Sequence, residues 1–316
     1  MHKRYWDEVP KPIIGLAPME GYSDSAYRRT CKAVNPNILT YTEFTSADGI
    51  QFGGDKLKAK LRFDPSEQPI LAQIFGKKLE TFINAAKYCE DMGFTGIDIN
   101  MGCPAKKVVK SEHGVALRKN LPLAFNLIEA LANATNLPIS VKTRLGWSNA
   151  DDLIEFGVGA QSAGANMICI HARTYKEPYN VPAQFEPVYE MRRHISIPVL
   201  ANGGITTIAD GMAKLGNLDG FLIGQATFGN PWAFGEAPLN FDQKIPLIRQ
   251  HAAWMVQSKG PKYGILEMRK HLLHYVKGFH GAKEFRSILC HVGSLDDIDK
   301  ALNEISDYIA MPLKAA

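Results

Sequence analysis

No stretch of about eighteen consecutive apolar residues occurs in this chain, so no membrane-spanning helix is expected. The opening MHKRYWDEVPKP has no apolar segment of the kind a secretory leader carries, so no secretory signal is expected and a cytoplasmic protein is. Cysteine is sparse. Cys31, Cys89, Cys103, Cys169 and Cys290 are odd in number, widely spaced and never arranged as C-x-x-C, which argues against a zinc site and against a disulfide framework; no metal is expected. A strong charge of one sign is also missing, since 36 basic residues stand against 32 acidic ones, a net +4. There is no low-complexity segment and no internal repeat beyond an alternation of strand-like and helix-like runs.

What is present is material for a large core. Of 316 residues, 46% are apolar. Short β-branched runs recur at Ile13–Pro18, Leu39–Phe44, Ile70–Phe75, Gly96–Met101, Ile139–Arg144, Met167–Ala172, Pro198–Gly203 and Gly220–Gly224. The intervals hold helix-like sequence such as Leu79–Met92, Leu121–Ala134 and Asp151–Ala163. Strands alternating with helices indicate parallel βαβ units, and eight of them in about 240 residues fit an α/β chain built on a (β/α)8 TIM barrel. A doubly wound open sheet is the other arrangement, but it would place a glycine-rich turn after the first strand. Here that strand runs into Pro18, which has no N–H to offer a phosphate.

After about Asn240 the strand-like runs stop. Ile265, Met268, Leu272, Val276 and Phe279 mark one helix face, with Lys270, His274 and Lys277 opposite. Asp242 or a neighbour is expected to cap the first helix of this region, with Pro246 in its first turn. The division expected is therefore a catalytic barrel over residues 1–240 and a small all-helical domain over 241–316. From Lys244 to His291 nine Lys/Arg meet two Glu, a net +7, while residues 292–316 carry two Lys and five acids. A basic helical module suits a polyanionic partner; an ordinary solvated helix surface is the plainer alternative. Arg269, Lys270 and Lys277 are the candidate contacts to such a partner.

In TIM barrels the chemistry sits at the C-terminal ends of the strands and in the loops that follow. That rule gathers Gln73, Asn100, Cys103, Lys142, Arg144, His171 and Arg173 at one mouth. Asn202, Gly203, Gly204 and Gly224 follow the seventh and eighth strands, where barrels bind phosphate through backbone N–H groups. Lys142 suits a flavin, whose reduced form is anionic at its pyrimidine edge; a Schiff-base lysine is the competing reading. Cys103 stands apart from the other cysteines by lying in a post-strand loop, NMGCPAKK, with Lys106 and Lys107 nearby. It is a general acid if protonated and a nucleophile if the lysines depress its pKa.

The motifs LAPMEGYSD, LAQIFG, DINMGCPAKKVV, VKTRLGW, IHARTYKEPY, IPVLANGGI and IGQATFGNPW, followed by EMRKHLLHYVKGFHGAKEFR, resemble those of the tRNA-dihydrouridine synthase family in content and order. The resemblance covers about Ile13 to Ile288. It implies a barrel holding flavin mononucleotide (FMN), reduced by NADPH or NADH, and a helical RNA-binding domain. It further implies reduction of uridines in tRNA to dihydrouridine by a cytoplasmic enzyme, expected to be a monomer. Carried over by motif, Pro18 and Met19 line the flavin, and Gln73, Lys142 and His171 contact it. Asn202–Gly204 and Gly224–Gln225 hold its phosphate, and Cys103 is the proton donor to C5. Asn100, Lys106 and Arg173 match positions near the substrate base or RNA, and Arg144 is a further candidate substrate contact. Three features depart from the family. Gln225 stands where Arg is usual, KSEHGVALR follows Cys103 where the family is glycine-rich, and Val181-Pro182 stand near a usual glycine. Reduction of a free pyrimidine, reduction of uridine in rRNA, and an RNA-binding scaffold with a degenerate flavin site are the alternative functions.

Overall fold

The computed structural model describes residues 5–235 and 237–311. They fold as two compact units. One comprises the residues up to Asp24 with Asn37–Gly224, and the other comprises Ser25–Pro36 with the residues from Gln225 on.

The first unit is a parallel barrel. Its strands are β1 (Ile13–Leu16), β2 (Thr40–Tyr41), β3 (Thr45–Ser46), β4 (Ile70–Phe75), β5 (Gly96–Met101), β6 (Ile139–Arg144), β7 (Met167–His171), β8 (Val199–Asn202) and β9 (Gly220–Ile223). They pair in the order β1-β9-β8-β7-β6-β5-β4-β2, with β3 also on β4. The Leu16 N–H donates to Leu39 O at 2.9 Å and the Leu39 N–H to Ile14 O at 2.8 Å, which closes β1 onto the β2 segment. The fold class is therefore the TIM barrel that the alternation predicts. The run Leu39–Phe44 differs from expectation by being split into β2 and β3. At the break the Thr42 hydroxyl, not a carbonyl, accepts the Gln73 N–H at 2.9 Å. The intervening helices agree closely with the periodicity: Leu79–Asp91, Leu121–Ala134 and Leu153–Ser162. Asn120 caps the second of these by accepting the Leu123 N–H, with Pro122 in its first turn.

Because side chains alternate along a strand, every second residue points into the barrel. Near the strands' N-terminal ends this set is apolar: Ile13, Leu39, Leu71, Met167, Cys169, Leu200 and Leu222 form one buried cluster. Trp6, from the short helix Tyr5–Glu8, joins the cluster and is 1% exposed. Toward the C-terminal ends the same phase places Gln73, Asp98, Asn100, Ser140, Lys142, His171 and Asn202 on the interior.

The second unit is helical: Ser25–Val34, Phe241–Lys259, Pro261–Tyr275, Ala282–Leu289 and Leu295–Ala310. Its core includes Ile248, Met255, Met268, Leu272, Leu289, Leu302 and Ile305, and also Ala26. The expected division counted residues 1–240 as barrel, whereas the segment Ser25–Pro36 groups with the helical residues. Arg29 donates to Gln257 Oε1 at 3.0 Å and stacks over Trp254, and Tyr27 stacks on His271. The cap of Phe241–Lys259 is Asn240, in a reciprocal box with Gln243, and Pro246 lies in the second turn of the helix, beyond the first turn expected for it. Ile265, Met268, Leu272 and Val276 are buried as the spacing predicts.

Truncating Trp6 removes the largest side chain of the lower barrel cluster. Trp6→Ala should cost about 3–5 kcal/mol, read as a lower urea midpoint at constant m. A second expectation concerns His271, which is fully buried and held neutral well below the ordinary imidazole value of 6.5. Burial is the main cause, followed by the charges of His251, Lys270, Lys259 and His274. Below pH 6.5 the unfolded chain binds this proton and the folded one does not, so stability falls as pH drops. This one group contributes up to about 1.4 kcal/mol per pH unit, and nothing above pH 6.5. His271→Gln should remove that slope from urea unfolding measured at pH 5.0–7.5.

Candidate active site

The barrel mouth is organised by a chain of side-chain hydrogen bonds on adjacent strands. Ser140 Oγ donates to Asp98 Oδ1 at 2.5 Å, and Gln73 Nε2 donates to Asp98 Oδ2 at 2.8 Å. Asn100 Nδ2 donates to Gln73 Oε1 at 3.0 Å. The backbone N–H groups of Gly102 and Cys103 donate to Asn100 Oδ1 at 3.2 and 2.9 Å. Cys103 is thereby held at the end of a ladder rooted in a fully buried carboxylate. Burial pushes the Asp98 carboxyl up to about 6, against the pull of Ser140, Gln73 and the Lys142 charge.

The Cys103 loop is braced from two further directions. Arg144 Nε donates to Gly102 O at 3.0 Å, while its other nitrogens reach Thr174 O at 3.0 Å and Tyr179 Oη at 3.2 Å. Gly114, at φ 61°, packs so closely that a Cβ there would lie 2.9 Å from Cys103 O. Beside it Glu112 is the one non-glycine residue with positive φ among the described residues, and it is ion-paired to Lys77 at 2.7 Å. The buried His113 Nε2 next to it has no hydrogen-bond partner.

Burial raises the pKa of the half-buried Cys103 thiol. The Ala105 backbone and the charges of Arg144 and Lys142 act in the opposite direction, and Glu20 adds to the rise. The thiol is therefore protonated at neutral pH, which fits a general acid and not a thiolate nucleophile. Lys106 and Lys107, expected to bear on it, begin the exposed helix Lys106–Lys110 and are not among the groups that shift it.

Cations gather near Cys103 and His171. Lys142 Nζ makes one hydrogen bond, to Asn202 Oδ1 at 3.1 Å, and Asn202 in turn donates to Leu222 O. Arg173 is 6% exposed and donates through Nε to Val181 O at 2.5 Å. Its Nη atoms lie over the turn after β8: a Cβ on Gly203 would be 3.3 Å from Nη1, and one on Gly204 3.8 Å from Nη2. Both glycines have positive φ, 106° and 65°, a backbone form in which successive N–H groups can turn toward an anion. His171 Nε2 would be 3.1 Å from the same Gly203 Cβ, and His171 Nδ1 is buried without a partner. Burial, reinforced by Lys142, Arg144 and Arg173, drops the His171 pKa to about 2, so the ring is neutral. Gly224 lies near Asn202 and Met19, and the Met19 N–H is tied to Ser23 Oγ at 2.7 Å in the turn after Pro18.

The structure thus brings together Met19, Gln73, Asn100, Cys103, Lys142, Arg144, His171, Arg173, Asn202, Gly203, Gly204 and Gly224. Gln225 is exposed, opens a 3-10 turn over Gln225–Thr227 and belongs to the helical unit. Arg269, Lys270 and Lys277 belong there too. Arg269 is pinned to Val292 O, Lys270 pairs with Glu267 at 3.7 Å, and Lys277 donates to Phe228 O at 3.3 Å. Sequence reasoning missed Asp98, Ser140 and Glu20. For Asp98 a signal existed: within GIDINM it shares the inward phase with Asn100.

The sequence profile of the dihydrouridine synthase (Dus) family matches residues 15–310. This chain belongs to the dihydrouridine synthase family. Among its relatives, "Probable tRNA-dihydrouridine synthase 2" of Bacillus subtilis (strain 168) is 32% identical over 96% of this chain and 97% of that protein. "Probable tRNA-dihydrouridine synthase 1" of Synechocystis sp. is 30% identical over 91% and 85%. Of solved structures, a variant of NCR from Zymomonas mobilis aligns with TM-score 0.52 over 72% of this chain and 88% of that one. At 15% identity it is a match of fold.

The cause of the raised Cys103 pKa is burial, so its alkylation should be slow at neutral pH. In a Cys290→Ser background, which removes the exposed thiol, the iodoacetamide rate at Cys103 should reach its midpoint at higher pH than a free thiol's. Peptide mass spectrometry reads the rate.

Proposed function

We propose that this chain reduces uridines in tRNA to 5,6-dihydrouridine, using FMN in the barrel mouth and NADPH or NADH as reductant, with Cys103 as the proton donor. The observation that carries the reading is a protonated thiol on a braced loop near Lys142 and Arg144 inside a dihydrouridine synthase barrel. The names of the relatives support tRNA as the substrate.

The residues fit the cofactor. Three buried or partly buried cations, Lys142, Arg144 and Arg173, converge on His171, with the buried carboxylate of Asp98 near Lys142, and unpaired buried charge is costly. An anionic ligand relieves that imbalance. The Gly203-Gly204 turn and Gly224 would take the phosphate by backbone N–H. Lys142, with one hydrogen bond made, has donors left for the pyrimidine edge. His171 Nδ1 is a further unfilled position. Pro18 and Met19 would line the ring, and Gln73 would meet it through the second N–H of its amide.

Bound there in reduced form, FMN would supply the hydride for C6 of uracil. The chain's own part is to hold the ring and move the proton. Asn100 and Arg144 grip the Gly102–Cys103 peptide by its N–H and its C=O, so that the thiol delivers its proton to C5 from a set position. Burial keeps that proton on sulfur until charge develops on the substrate. The uridine must leave its stack to reach the mouth, at a cost of a few kcal/mol. The cations of the helical unit, among them exposed Lys262, Lys277 and Lys283, would offset this through phosphate contacts and counterion release.

Cys103→Ala should keep the flavin absorbance of the purified protein and lose dihydrouridine formation on tRNA from a strain lacking the modification. A wild-type protein that binds no FMN on reconstitution, or forms no dihydrouridine with FMN bound, overturns the reading.

A further inference from the structure

Resting on that reading, we propose that Asp98 is a positioning residue that sets the polarity of Gln73 and Asn100, so that Asn100 meets the pyrimidine only as a donor, at the carbonyl on C4. The ladder from Asp98 to Cys103 has fixed chemistry at both ends. One end is a carboxylate, an acceptor. The other is a pair of backbone N–H groups, which can only donate. The two amides between them have one orientation that satisfies every link. Turning Asn100 over would set its NH2 against the N–H groups of Gly102 and Cys103. Turning Gln73 over would set its oxygen against Asp98 and its NH2 against that of Asn100.

Asn100 Oδ1 already accepts two hydrogen bonds, at 2.9 and 3.2 Å. What remains to Asn100 is the second hydrogen of Nδ2. A base placed against it must present an acceptor. Uracil and cytosine differ at C4, where uracil has a carbonyl oxygen and cytosine an amino donor. C4 is bonded to C5, the carbon that takes the proton from Cys103, and Asn100 holds the backbone of that same cysteine. On this proposal the N–H sits at the C4 edge, the polar edge next to the carbon that Cys103 protonates.

The electron flow gives this contact a catalytic sense. A hydride supplied to C6 by bound reduced FMN would break the C5–C6 π bond and move its electron pair through C4 onto O4 as an enolate. Proton transfer from Cys103 Sγ then forms the C5–H bond and leaves a thiolate, which solvent reprotonates. A preset N–H on O4 is stronger with the enolate than with the ground-state carbonyl, so it lowers the barrier. It would also disfavour a cytidine in the same place, because two donors would face each other.

The test uses full-length enzyme reconstituted with FMN, pre-reduced, in single turnover on dihydrouridine-free tRNA. Asn100→Asp keeps the acceptor for Gly102 and Cys103 and removes the N–H. It should leave FMN affinity within about threefold and slow the rate by about 100-fold or more. Asp98→Asn lets the carboxylate's role pass to an amide that is no longer bound to one orientation. With FMN saturating, so that the Gln73 contact to the cofactor is filled in every variant, it should slow the rate about tenfold in the wild-type background and not at all on top of Asn100→Asp. An Asn100→Asp enzyme within about threefold of wild type overturns the proposal. So does an Asp98→Asn loss that persists undiminished in the double variant. Wild-type enzyme without turnover instead overturns the uridine-reductase reading.

Discussion

Closing eight parallel strands into a cylinder obliges alternate residues to point inward, and this constraint governs everything else in the first unit. The inward set changes character along the strands. It begins as Ile13, Leu71, Met167, Leu200 and Leu222 around Trp6, and ends as Gln73, Asn100, Lys142, His171 and Asn202. The apolar layers fix the register, and the register aims the polar groups. A slip of one residue in β5 would bring Ile97 and Ile99 inward in place of Asp98 and Asn100.

Burial then acts on each titratable group in the mouth with a different outcome. It raises the Cys103 thiol and keeps its proton in place. It raises Asp98 but leaves it able to ionise, because two donors and Lys142 favour the charge. It lowers Lys142 and strips the charge from His171. Burial thus leaves a protonated thiol and a neutral imidazole beside the cations Lys142, Arg144 and Arg173. That mixture suits an anionic cofactor beside a substrate that must be protonated on carbon.

Much of this was legible from residues alone. The strand–helix alternation gave the barrel, and the rule that loops after barrel strands carry chemistry picked out Cys103, Lys142, His171 and Asn202 before any geometry was known. Less legible were contacts between residues far apart in the chain. Whether Cys103 is thiol or thiolate depends first on its burial and then on Arg144, Glu20 and Lys142, none of which the sequence encodes, while the adjacent Lys106 and Lys107 suggested the wrong neighbours. Asp98 escaped notice because a single acid inside GIDINM reads as an interruption of a strand until its partners on β4 and β6 are seen. The first crossover, Ser25–Pro36, reads as a barrel helix by position. Its allegiance to the helical residues is decided by packing of Ala26 and Tyr27, which periodicity cannot reveal.

That allegiance makes the helical unit discontinuous in sequence. One of its helices is synthesised near the start of the chain and the rest only after Gly224. During translation the early helix has to wait for some two hundred residues of barrel before its partners emerge, and closing so long a loop carries an entropic cost and slows folding. For the same reason the unit cannot be moved between proteins as a C-terminal cassette. A graft beginning at Gln225 would arrive with the seat of Tyr27 empty and His271 bared to water.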